Sequence, residues 1–95
     1  NAVYLSLRRA GFQVYVGTIK DTEVDFVAIK GDKRLYLQVT LQLTEEKTIE
    51  REYRSLKLID DNFDKYVVSM DDYKIPTNEG IEHISAWNLD EMLNR

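Results

Sequence analysis

Two adjacent runs constrain this chain more than anything else in it: Glu23-Val-Asp-Phe-Val-Ala-Ile29 and Arg34-Leu-Tyr-Leu-Gln-Val-Thr40. Both are rich in β-branched and aromatic residues, and the Gly31-Asp32 pair between them reads as a hairpin turn. Strands this continuously apolar need cover on both faces, so helices must flank the sheet they form. Inside this core the sequence places one carboxylate, Asp25, and one amide, Gln38. A polar pair in a buried sheet is either satisfied by hydrogen bonds or kept for chemistry. Strand periodicity predicts Glu23, Asp25 and Val27 on one face, with Val24, Phe26 and Ala28 on the other. In the second run Tyr36, Gln38 and Thr40 share a face opposite Leu35, Leu37 and Val39. An in-register hairpin then brings Asp25 to the Gln38/Thr40 face, at the strand ends away from the turn.

The rest of the chain supplies the cover. Val3, Leu7 and Ala10 recur at helical spacing, Arg8 and Arg9 suit a helix C-terminus, and Gly11 ends that helix. Phe12-Gln-Val-Tyr-Val16 alternates as a strand, and Gly17 to Thr22 reads as the turn into the strand Glu23 to Lys30. The third strand runs from Lys33 or Arg34 to Thr40. Thr44 is the predicted N-cap of a second helix, with Glu45 and Glu46 in its first turn. Ile49, Tyr53, Leu56 and Ile59 form its apolar stripe, and Glu50 and Arg54 stand one turn apart on its outer face. Asp64 to Met70 reads as a buried strand. Asp71 to Glu79, with Pro76, reads as a loop, Gly80 to Ile84 as a short edge strand, and Asn88 or Asp90 to Leu93 as a last short helix. The connection from the third strand to the fourth predicts a parallel pair and a right-handed crossover. The expectation is one α/β domain over residues 1–95, with a mixed sheet between helices.

Bulk properties narrow the function classes. At 95 residues the chain closes one core without metal or disulfide staples. Its 43% hydrophobic and 32% charged content is that of a folded domain rather than a disordered one. The chain has no cysteine, which excludes thiolate chemistry and fits a reducing, cytoplasmic setting. No apolar run approaches membrane-span length, so no membrane role is expected. A net charge of −4 argues against strong autonomous binding to nucleic acid, where phosphate neutralisation supplies most of the affinity. The chain opens on Asn1 directly into a helical pattern without an N-cap, which predicts a domain cut from something longer.

The order helix–β–β–β–helix–β, with an acid on strand two and a polar-x-polar pair on strand three, resembles the restriction-endonuclease-like fold of PD-(D/E)XK nucleases. More closely, six segments resemble the C-terminal domain of uncharacterised AAA-type ATPases of bacteria and archaea. They are Val14-Tyr-Val-Gly17, Glu23-Val-Asp-Phe-Val-Ala28, Leu37-Gln-Val-Thr40, Glu50-Arg-Glu-Tyr53, Tyr66-Val-Val-Ser-Met-Asp71 and Gly80-Ile. That resemblance implies an upstream ATPase module as a partner, since no G-x-x-x-x-G-K-[ST] occurs in this chain. The nuclease resemblance implies Asp25 as the metal-binding aspartate, Gln38 where Glu or Asp usually stands, and Thr40 where Lys usually stands. Mg²⁺ or Mn²⁺ enters only if nuclease chemistry survives; otherwise the domain needs no cofactor. Gln38 offers an oxygen without charge, and Thr40 cannot replace a lysine that steadies the attacked phosphate. A lysine from elsewhere, such as Lys47, would have to substitute.

Three functions therefore compete. One is a non-catalytic nuclease-like accessory domain that binds a protein, DNA or its own ATPase module. A second is a weak metal-dependent phosphodiesterase using Asp25 with Gln38. A third is a self-associating or protein-binding module with no nucleic-acid role, motivated by an apolar edge at Ile81 to Ile84. His83 is expected to be packed or at the surface, with Glu82 as its nearest acid, and Trp87 to cap the core beside the last helix. Lys47, Arg51 and Arg54 alternate with Glu45, Glu46, Glu50 and Glu52, the pattern of a solvated, salt-bridged helix face. Asp60, Asp61, Asp64, Asp71 and Asp72 read as ordinary acids at element ends.

Overall fold

The computed structural model describes residues 2–19, 22–41, 46–71 and 79–94; the side chains of Ile19, Thr22, Glu46 and Lys47 fall outside that description. Helix α1 spans Ala2–Arg9 and buries Val3 and Leu7. Its end is set by Gly11, at φ +93°. There the Phe12 N–H donates to the Leu7 carbonyl and the Gly11 N–H to that of Arg8, both at 3.0 Å. This paired closure needs a left-handed residue, which glycine adopts without strain. Lys30 strengthens the same end by donating to the Ala10 carbonyl at 2.7 Å.

Strands β1 (Gln13–Ile19), β2 (Thr22–Lys30) and β3 (Lys33–Val39) form an antiparallel meander. Helix α2 (Glu46–Lys57) then crosses to β4 (Asp64–Ser69), which pairs parallel with β3. Strand β5 (Ile81–Ser85) adds parallel to β4, giving the order β1-β2-β3-β4-β5. A 3-10 turn, Ala86–Asn88, leads into α3 (Leu89–Leu93). The result is a mixed α/β domain with a five-stranded sheet between helices. Val3, Leu7, Leu89 and Leu93 of α1 and α3 pack on Phe26, Ala28, Leu35, Leu37 and Val68. Tyr53 and Leu56 of α2 pack on the opposite face with Val24, Val27, Tyr36, Val67 and Ile81.

The order of elements and the parallel β3/β4 pair agree with the sequence expectation, and five details depart from it. Strand β1 continues through Gly17 to Ile19 where a turn was expected. Helix α2 ends at Lys57, and Ile59 lies past it in a tight turn closed by its N–H on the Leu56 carbonyl, still buried. Ile81 is 1% exposed, so β5 is a sheet edge but not an open apolar one. Trp87 is 54% exposed and leaves the capping of the core to Leu89 and Leu93. The fifth departure concerns strand faces. Val24 shares the α2 face with Val27, while Phe26 and Ala28 face α1. The cause is a β-bulge: Tyr15 pairs with Val27 and Gly17 with Val24, so Val16 alone faces both Asp25 and Phe26. One extra residue in β2 shifts the alternation by one from Val24 backward. The expected Thr44 cap, Glu45, Asp72 and Pro76 lie outside the described residues.

Candidate functional site

The bulge puts Asp25 at the end of the β2/β3 ladder. Regular pairing runs from Lys30↔Lys33 to Phe26↔Leu37 and stops there. Beyond it the backbones part, and two side chains close the gap. The Gln38 amide is 6% exposed and lies along β2. Its Oε1 accepts the Asp25 N–H at 2.7 Å, and its Nε2 donates to the Glu23 carbonyl at 3.3 Å. In return, Asp25 Oδ2 accepts the Val39 N–H at 2.8 Å. Each side chain thus bonds the other strand's backbone, supplying donors and acceptors that a bulge leaves without a ladder partner. Asp25 itself stays exposed.

The structure therefore brings Asp25 and Gln38 together, as the hairpin register requires, but joins them through the main chain. Thr40 follows directly; its N–H donates to the Val68 carbonyl at 2.9 Å, carrying the β3/β4 ladder one step past the strand end. The Lys47 side chain, the suggested substitute cation, lies outside the described residues.

Helix α2 contributes one group that sequence patterning missed. The Glu52 side chain is 14% exposed and takes Arg51 Nη2 at 3.5 Å. Burial first, and then the negative charge of Asp25, push its carboxyl above the usual range, with Arg51 only partly offsetting them. The charged helix pattern concealed Glu52 because it reads as a solvated face throughout. The signal that could have found it is its place beside Tyr53, whose side chain is fully buried.

A second polar group lies at the carboxyl ends of β4 and β5. Ser69, 1% exposed, stands 2.6 Å by its Oγ from His83 Nε2. It also donates to Asp71 Oδ2 at 3.3 Å and accepts the Asp71 N–H at 3.1 Å. Ser85 Oγ donates to the Asp71 carbonyl. Burial holds the His83 imidazole below its ordinary value, and the Asp71 charge opposes that. These residue types also make hydrolytic triads, but the arrangement differs. The aspartate bonds the serine hydroxyl directly, and the serine, 1% exposed, is sealed from any substrate. His83 is therefore not merely packed beside Glu82; it holds the exit of β4. Sequence alone does not bring residues 14 apart together here, because the contact exists only once β4 and β5 pair in parallel.

At the other end of the α2 face, the amino ends of β3 and β4 are joined by Asp61. Tyr36 OH donates to Asp61 Oδ2 at 2.6 Å, and the Phe63 N–H to Oδ1 at 3.0 Å. Lys65 Nζ donates to Asp61 Oδ1, to the Asp61 carbonyl and to the Phe63 carbonyl, each at 3.0 Å. Burial alone would raise the Asp61 carboxyl, but the bonds from Tyr36, Lys65 and the Phe63 N–H together hold it below the usual carboxylate range.

Among the described residues no group of three or more His, Cys, Asp or Glu is placed to hold a metal ion, and no helix is long and apolar enough to cross a membrane. No family model matches the chain. No solved structure matches it either. The chain is similar to an uncharacterised protein of Haemophilus influenzae, 36% identical over 91 residues. That match takes in 94% of this chain and 22% of the relative, so the chain spans well under a third of the relative's length.

Proposed function

We propose that this chain is a restriction-endonuclease-like accessory domain that binds without cutting, working as the C-terminal module of an AAA-type ATPase in the cytoplasm. Its partner is the upstream ATPase module, another protein or DNA. The observation that carries the reading is Gln38. A nuclease site of this type needs hard, preferably charged oxygens converging on one cation. Here the Gln38 oxygen is turned onto the Asp25 N–H and its nitrogen onto the Glu23 carbonyl. One oxygen of Asp25 is likewise turned onto the Val39 N–H. The pair does not fit a two-acid metal site, and Thr40 brings no cation to steady a phosphate. What remains is a sheet end whose polar groups fix the backbone. The element order and the mixed sheet support the fold assignment, and a relative much longer than this chain is consistent with a module of a larger protein.

A metal-dependent nuclease is the second reading, and Glu52 is what favours it. A carboxylate from α2 that feels the Asp25 charge would replace the acid missing at Gln38. The two readings separate on incubation with single- and double-stranded DNA and RNA in Mg²⁺ or Mn²⁺, beside fluorescence anisotropy of the same nucleic acids. The accessory reading expects no cleavage. Cleavage that disappears in both Asp25→Ala and Glu52→Gln would replace it with the nuclease reading, whereas cleavage surviving Asp25→Ala marks a contaminant.

A further inference from the structure

The two outer strands of the sheet differ in a way that bears on assembly. Strand β5 carries Glu82 and is only five residues long. Strand β1 is seven residues long and contains no charged residue. Natural edge strands are commonly blunted by charge, proline or shortness, because their unpaired N–H and C=O groups template further pairing. Among the described residues nothing blunts β1 in these ways, and no strand lies on its outer side. Its side chains are open as well: Tyr15 is 53% and Val16 74% exposed. Beside it runs a groove of about 240 Å³ lined by Tyr15, Val16, Gly17, Val27, Ile29 and Arg34. Helix α2 packs mainly over β2 and β3, towards the middle of the sheet.

We infer that β1 is a self-association edge, pairing antiparallel with β1 of a second copy about a two-fold axis at Val16. That register sets Tyr15 opposite Gly17 of the partner subunit, and the reverse. Position 17 has no side chain, and nothing stands within 4 Å of where a Cβ would project. Each tyrosine ring therefore covers a bare glycine across the strand pair, a favourable aromatic–glycine arrangement. The contact is self-complementary in charge too. Each chain is acidic overall at −4, yet the paired strands carry no charged side chain, and among the described residues the one charged group lining the groove is the cation Arg34. Within the strand pair itself a second copy thus sets no acid against acid, and the isologous geometry closes at two.

The test is average mass by sedimentation equilibrium over about two decades of concentration, up to about 1 mM. The wild-type mass should rise from one chain towards two. Val16→Lys should weaken that association by about tenfold or more, since it sets two cations opposite each other. Glu82→Lys on β5 should leave it unchanged. A wild type that stays at one chain to the highest concentration overturns the inference, as does a dimer indifferent to Val16→Lys. If Val16→Lys loses its circular-dichroism melt, Tyr15→Ala decides instead: weaker association supports the edge, and unchanged association sinks it.

Discussion

The α2 face of the sheet holds two polar clusters, one at each end of β3, and they solve opposite problems. At the amino end, Asp61 accepts from Tyr36, Lys65 and the Phe63 N–H, and Lys65 uses all three of its donors. The groups are charged and largely buried, and each depends on the others. At the carboxyl end, Asp25 and Gln38 bond backbone rather than each other's side chains. There the cluster replaces a missing rung of sheet. The amino-end cluster is an ion pair that stability rests on. The carboxyl-end one is a repair that allows a bulge, and the bulge brings a carboxylate to the surface.

Substitutions can break or sharpen that contrast. The largest effect is expected at the ion pair. Asp61→Ala takes the counter-charge from a buried ammonium, which keeps only two main-chain carbonyls, and the acceptor from a buried phenol, and should cost about 3–5 kcal/mol in urea denaturation. Gln38→Leu keeps the volume but strips two bonds from the β2 backbone, for about 1–3 kcal/mol by the same method. A Gln38→Leu loss as large as that of Asp61→Ala would erase the distinction.

The exit of β4 gives a smaller, pH-dependent effect. His83 is held below its ordinary value, so the unfolded chain takes up the proton first. Its contribution is complete above the unfolded value of 6.5 and is lost as pH falls from there towards the folded value. Thermal melts between pH 8 and about 5 should show this decline, and His83→Gln should flatten it. The smallest effect is expected at Tyr53. Its hydroxyl is buried with no partner among the described residues, and burial raises its ionisation. Tyr53→Phe should leave the protein as stable or add about 1 kcal/mol.

What the sequence revealed follows the range of the interactions involved. The α2 stripe, the Gly11 stop and the β4 run were legible because each depends on neighbours within a few residues. The meeting of Asp25 with Gln38 was legible because a short hairpin fixes its register. The bulge was not, since Glu23 to Lys30 reads as one unbroken strand and the extra residue shows only against Tyr15 and Gly17 on β1. Glu52 and the Ser69–His83 contact were hidden for a related reason. Both depend on which segments the finished fold lays side by side.

The exchange between Asp25 and Gln38 also has a kinetic consequence. Inside a ladder, an amide hydrogen is released only when strands separate. The Asp25 and Val39 amides are instead covered by side chains, which change rotamer far faster than strands part. Their hydrogens should exchange with solvent well ahead of those of Phe26 and Leu37, the last ladder pair beside them. This end of the sheet is a clasp rather than a weld, able to open and close while every rung behind it stays in place.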